Sequence, residues 1–191
     1  IKAELNSTLF NNVYKSYANT WKDIQERLYA NDDFGAELKK TNLVKDLLPQ
    51  EIKSIPVTLE RANAILKFVH KNYTWNKEDA VFCDKGIKNL INTKVGNTAE
   101  INLLLTMLLQ NAGINADPVV LSTVNQGILL AYNPSIAQLN YVLASFKDKD
   151  KIYLADGTVK QSEINMVAPK ALNYYGIIMG EKTAQQINIL Y

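Results

Sequence analysis

A chain of 191 residues with one cysteine, Cys83, and one histidine, His70, is poor in the side chains that make most nucleophilic sites. Cys83 has no internal partner, so no disulfide forms within the chain, and cysteine usage leaves the redox compartment open. An excess of one charge is missing too. Lysine and arginine total 21 against 19 acids, a formal net charge of +2, which gives no reason to expect a polyanion. No stretch interleaves basic residues with aromatics as a nucleic-acid groove would, so nucleic acid is not an expected partner. The densest charge run, Lys147 to Lys151, alternates in sign and reads as a solvated turn. No apolar run approaches the roughly 20 residues of a membrane-spanning helix. No apolar leader opens the chain, which begins at Ile1 and reads as a fragment or mature form. Internal repeats and low-complexity linkers are absent from the pattern as well.

What is present is enough to bury a core, since 47% of the residues are hydrophobic and 21% charged. The first half has helical grammar. Trp21, Ile24 and Leu28 recur at three- and four-residue spacing. After the polar break at Asn31 to Asp33, a second helical segment is expected through Leu38, Leu43 and Leu47, ending at Pro49. A third follows Pro56, with Thr58 as its cap and a buried stripe of Ala62, Ile65, Phe68 and Val69, ending near Asn72. Residues 73–95 read as a loop carrying one helical turn at Ile87 to Ile91. The strongest signal comes next. Asn97 and Glu100 form an N-x-x-E capping box ahead of Ile101, Leu104, Leu105, Leu108 and Leu109, and Gly113 closes the helix. Apolar residues cover most of its circumference, which makes it central and buried.

Beyond Gly113 the pattern changes to strands: Pro118 to Ser122, Ile128 to Tyr132, Tyr141 to Phe146 and Ile152 to Ala155. Asp148 to Asp150 and Asp156-Gly157 supply turns, and Gly176 to Met179 and Gln186 to Leu190 read as short further strands. Helices first and an antiparallel sheet second is the order of an α+β fold. The whole of 1–191 reads as one domain with a core at about 58–175, residues 1–12 and 181–191 being flanks of a larger protein.

Lys94-Val95-Gly96-Asn97-Thr98-Ala99-Glu100-Ile101, running into Gln110-Asn111-Ala112-Gly113-Ile114, resembles the core of the transglutaminase-like superfamily, which shares the papain-type architecture. In that family a glycine, one residue, the catalytic cysteine and then an acidic residue two further on precede a buried helix. Leu139-Asn140-Tyr141-Val142 resembles the strand that carries the family histidine. Ala155-Asp156-Gly157-Thr158 resembles the strand that carries its aspartate, and Ala62 to Trp75 is similar to the preceding helix and tryptophan loop. The resemblance implies a central buried helix packed on a C-terminal antiparallel sheet. It also puts Thr98 at the cysteine position and Tyr141 at the histidine position, with Asp156 kept.

Those replacements bear directly on activity. A thiol at a helix N-terminus beside an imidazole has its pKa drawn down from about 8.5, giving a thiolate. A threonine hydroxyl needs an adjacent general base instead, and tyrosine, with a reference pKa of about 10, is a poor one. The expected role is therefore a non-catalytic domain with vestigial triad positions Thr98, Tyr141 and Asp156. Trp75, Asn97 and Asn140 would line a former active-site cleft that takes a peptide, protein or cell-wall-like ligand. The same resemblance implies an exported or periplasmic bacterial protein with adjoining β-rich domains, and no cofactor is called for. Two alternatives stand beside it: an active peptidase, amidase or acyltransferase using Thr98 or Cys83, and a purely structural spacer.

Other residues read more plainly. Cys83 is expected as a loop or semi-buried thiol and His70 as a helix-edge histidine, with nothing to orient one toward the other. Glu78, Asp79 and Asp84 form an acidic loop whose spacing matches no calcium loop. Tyr132, Tyr141, Tyr174 and Tyr175 could line a groove but suit ordinary sheet packing.

Overall fold

The computed structural model describes residues 7–10, 13–16, 20–129 and 134–189. A short hairpin, β1 (Ser7–Phe10) and β2 (Val13–Ser16), precedes helix α1 (Trp21–Ala30). Thr20 caps α1 with a reciprocal box, its hydroxyl accepting from the Asp23 N–H while the Asp23 carboxylate accepts from the Thr20 N–H. The second expected helix is instead broken into pieces: α2 (Gly35–Leu38), a 3₁₀ turn at Thr41–Leu43, and α3 (Gln50–Lys53), for which Pro49 is the N-cap. Leucines at helical spacing still turn inward there, with Leu38 and Leu48 buried, but no piece exceeds four residues. Helix α4 (Thr58–Asn72) ends where expected and buries Ala62, Ile65, Leu66 and Val69. Its N-cap is Val57, which offers no side-chain bond, so Thr58 is the first helical residue rather than the cap.

Within the stretch read as a loop, β3 (Thr74–Trp75) pairs in parallel with β4 (Val95–Gly96), and α5 (Ile87–Thr93) lies between them. This short pairing sets Trp75 directly across from Gly96, beside the head of α6 (Thr98–Asn111). Helix α6 is buried continuously from Thr98 to Leu109. Its head carries the expected capping box: Asn97 Oδ1 accepts from the Glu100 N–H at 2.9 Å, and Glu100 Oε2 accepts from the Asn97 N–H at 2.9 Å. Its tail closes in a Schellman arrangement, Gly113 (φ 75°) donating to Gln110 O and Ile114 donating to Leu109 O.

The sheet is antiparallel throughout, in the order β7 (Lys151–Ala155), β6 (Tyr141–Asp148), β5 (Asn115–Leu121), β8 (Tyr174–Met179), β9 (Ala184–Ile189). No strand forms at Ile128 or Leu129, and the rest of that expected strand, like Leu190, lies outside the described residues. Alternation divides the sheet into two faces. Val120, Val142, Ala144, Phe146 and Ile177 join the large core built on α6, while Val119, Leu121, Tyr141, Leu143 and Ile178 form a second layer with Ala168 and Ala171. Helix and sheet approach closely at one point. A Cβ on Gly157, just after β7, would lie 2.8 Å from Ile101 Cγ2 and 3.0 Å from Val69 Cγ1. Among the described residues, no helix is long and apolar enough to cross a membrane.

Candidate active-site remnant at the head of the central helix

The capping box fixes where α6 begins, and Thr98 is its first residue. Both of its donors go to one acceptor: the Thr98 N–H reaches Glu78 O at 3.1 Å and the hydroxyl reaches the same carbonyl at 2.9 Å. The hydroxyl also lies 3.4 Å from Asp79 Oδ1. Thr98 is wholly buried. The loop that supplies Glu78 and Asp79 is itself anchored, since the Trp75 indole N–H donates to Glu78 O at 2.9 Å and the Asn76 side chain holds both the N–H and the carboxylate of Glu78.

Over this loop lies a cation from far along the chain. Lys170 Nζ is 2.6 Å from Asp79 Oδ1, 3.9 Å from the centre of the Trp75 ring and 5.2 Å from that of Tyr141. Lys170 sits in a 3₁₀ turn, Pro169–Ala171, held on both sides. The Ala168 N–H donates to Asp156 Oδ2 at 3.1 Å, Lys170 O accepts from Val124 N at 2.9 Å, and Asn173 donates to Ser122 O and Gly127 O.

Tyr141 opens β6 and is wholly buried, as is Asp156 just beyond β7. The Tyr141 hydroxyl donates to Asp156 Oδ2 at 3.0 Å and lies 2.8 Å from Thr158 Oγ1. Burial, and next the Asp156 charge, push the Tyr141 phenol well above its ordinary range, so it stays protonated and serves as a donor. Asp156 also receives the Thr158 N–H and hydroxyl at 3.0 and 2.7 Å and the Asn102 amide at 3.3 Å. Asn102 ties helix to sheet, donating to Val142 O at 2.8 Å and accepting from the Gly157 N–H at 2.7 Å. His70 comes to the back of the same turn, with Nε2 3.2 Å from Asp156 O. That carbonyl fixes Nε2 as the protonated nitrogen, and burial lowers the ring's pKa from 6.5. One hydrogen-bonded assembly thus holds Tyr141, Asp156, Asn102 and His70. Among the described residues, Thr98 is linked to it through Asp79 and Lys170, whose ammonium lies over the Tyr141 ring.

Three expected site residues have other work. Asn97 is 2% exposed and does not line a cleft: its Oδ1 caps α6 and its Nδ2 donates to Phe82 O at 2.9 Å. Asn140 is half-buried and tied through both amide atoms to Thr123, which pins the start of β6 to the end of β5. Cys83 is buried in the loop before α5, where burial first, then the charges of Glu100 and Glu37, push its thiol well above the ordinary thiol range. Trp75 is half-buried beneath Lys170. Among the described residues, no group of three or more His, Cys, Asp or Glu side chains could hold a metal ion. Of the tyrosines, Tyr174 is exposed and Tyr175 donates to Leu129 O at 2.6 Å, while Tyr132 lies outside the described residues.

The two residues that link Thr98 to this assembly carry no local signal of doing so. Lys170 and Asp79 are 91 residues apart, and nothing in the pattern near either predicts the pair. Asn102 does leave a trace, being a polar side chain in the middle of an apolar helix that needs a partner once buried.

A central buried helix on an antiparallel sheet, with an aspartate turn locked to its first two turns, defines a papain-like α+β domain. The sequence profile of the transglutaminase-like superfamily matches residues 47–155, and the chain belongs to that superfamily. No curated protein matches it. A crystal structure from Parabacteroides distasonis, described provisionally as a protease, superposes with a TM-score of 0.57 at 13% identity, covering 99% of this chain and 36% of that one. LapG from Legionella pneumophila superposes with a TM-score of 0.43 at 12% identity, covering 83% of this chain and 84% of its own. The chain therefore spans about a third of the length of the Parabacteroides protein.

Proposed function

We propose that this domain is a non-catalytic member of the superfamily, in which Thr98, Tyr141 and Asp156 are the remnants of a cysteine–histidine–aspartate site. One observation carries the reading: the Thr98 hydroxyl is wholly buried and donates to the Glu78 carbonyl, while the nearby carboxylate, Asp79 Oδ1 at 3.4 Å, is already paired with Lys170. The reading does not depend on the register of β6. At its head both Tyr141 and the preceding Asn140 lack an imidazole, and the chain's one histidine is engaged behind Asp156. Asp156, in turn, orients a phenol instead of a base. The active alternative through Cys83 has little support, since that thiol is buried and held protonated.

Within this reading the domain serves as a binding module for a peptide or cell-wall-like strand, at the rim formed by Trp75, Asp79 and Lys170. Burial of Thr98 and Tyr141 keeps a strand from the floor. That same burial favours the spacer as a second reading. The proposal also places the domain in a longer exported bacterial protein beside β-rich domains.

The test is turnover of peptide amides and acyl transfer to amines, compared between the native chain and Thr98→Ala. Both are expected at background, and turnover lost in Thr98→Ala or Cys83→Ala would sink the proposal. Titration with peptides and muropeptides, followed at the Trp75 indole, separates binder from spacer. A saturable shift is expected for the binder, and its absence leaves the spacer.

A further inference from the structure

We propose that Trp75, Tyr141 and Asp79 form an ammonium-binding site that the chain fills with its own Lys170, and that an alkylammonium ligand can take once Lys170 is withdrawn. This rests on the non-catalytic reading of the same site. An indole face at 3.9 Å, a phenol face at 5.2 Å and a carboxylate oxygen at 2.6 Å surround one nitrogen. Aromatic faces attract a cation through their quadrupole, and a carboxylate adds charge and a hydrogen bond. A neutral ligand of the same shape would gain from neither.

Each element of the cage is held independently of Lys170. The Trp75 indole N–H is fixed on Glu78 O, so its ring presents one face. Tyr141 is fixed through its hydroxyl on Asp156. The Asp79 loop is anchored by Thr98, which donates to the neighbouring carbonyl and lies within reach of the Asp79 carboxylate. Removing the lysine side chain therefore leaves the cage standing rather than collapsing it. Lys170 itself makes one hydrogen bond through Nζ among the described residues, and its side chain is a quarter exposed. Its backbone is secured at Ala168, Val124 and Asn173, so the side chain can swing out without moving the turn. Lys170 acts as a plug held by its head group.

The experiment is titration of the full chain and of Lys170→Ala with n-butylammonium, and with n-butanol as the neutral control, followed by the indole resonance of Trp75. Lys170→Ala is expected to bind n-butylammonium at least tenfold more tightly than the native chain and more tightly than n-butanol. Adding Asp79→Asn is expected to abolish that difference. Equal binding of the ammonium and the alcohol, or no gain over the native chain, overturns the proposal. A second measurement needs no variant. Acylation of lysines in the native chain is expected to modify Lys170 at least tenfold more slowly than exposed Lys182. Equal rates at the two lysines overturn the proposal as well. These readouts involve no turnover, so they can fail while the domain proves inert, or succeed while it proves active.

Discussion

Asp156 anchors the turn after β7 through its carboxylate. It is wholly buried and receives the Tyr141 and Thr158 hydroxyls, the Thr158 and Ala168 N–H groups and the Asn102 amide. A buried carboxylate is tolerable only when hydrogen-bonded in this way, and each donor left without a partner costs about 1–3 kcal/mol. Asp156→Ala should therefore lower stability by roughly 3–5 kcal/mol, read as a fall in the urea midpoint. His70 gives a pH signature at the same turn. Its folded pKa lies below 6.5 because burial disfavours the imidazolium, partly opposed by the Asp156 carbonyl and charge, with Lys160 reinforcing the depression. The unfolded chain then binds more protons, so this contribution is present above about 6.5 and is lost as pH falls through the folded value. His70→Gln should flatten the fall in melting temperature on acidification below pH 6.5, and an unchanged slope would show that the ring does not titrate between the two states.

At the scale of elements, α6 was the part most legible in the sequence, because its start, face and stop are all local. Asn97 and Glu100 satisfy each other within one turn, and Gly113 is needed where φ is 75°. Five of the six expected strands form, the exception being the one expected from Ile128 to Tyr132, whose described residues Ile128 and Leu129 are not strand. What was not legible depends on distant partners. The 38–48 region has helical leucine spacing, but the chain turns there in pieces of four residues or fewer, with Leu38 and Leu48 in the core that contains α6. The β3–β4 pair is two residues long and parallel, too short for any pattern, yet it places Trp75. Gly157 brings the turn after β7 close to helices α6 and α4. Gly157→Ala would set a methyl 2.8 Å from Ile101 Cγ2, and a loss of about 1–3 kcal/mol is expected in thermal or urea unfolding.

Across the whole molecule, the chain has the α+β fold of the transglutaminase-like superfamily, and the head of its central helix lies in the interior. Thr98 and Tyr141 are buried, and a lysine from the far side of the sheet closes over them. The resemblance read from the sequence puts Thr98 at the cysteine position and Tyr141 at the histidine position. It did not reveal the closure, because Lys170 and Asp79 meet only when the turn after Asp156 has folded onto the loop after β3. On the proposed reading, installing a working nucleophile must undo more than one change. Thr98→Cys alone should give less than about a hundredth of the amide hydrolysis of the same variant carrying Tyr141→His and Lys170→Ala, since general-base assistance is worth about 10²-fold or more. Equal rates in the two would mean that neither the missing base nor the lysine matters.

The central claim, that no nucleophile works here, is tested most directly by intact-mass spectrometry of the native chain after incubation with an acylating peptide ester and, separately, a thiol alkylating reagent at pH 7. The thiol at Cys83 is buried and held protonated, and the Thr98 hydroxyl is engaged by Glu78, so the mass of the folded chain should show no adduct on either residue. An adduct mapped to Thr98 or Cys83 in the folded chain would contradict the account, the denatured chain, in which Cys83 is exposed, being the positive control for alkylation.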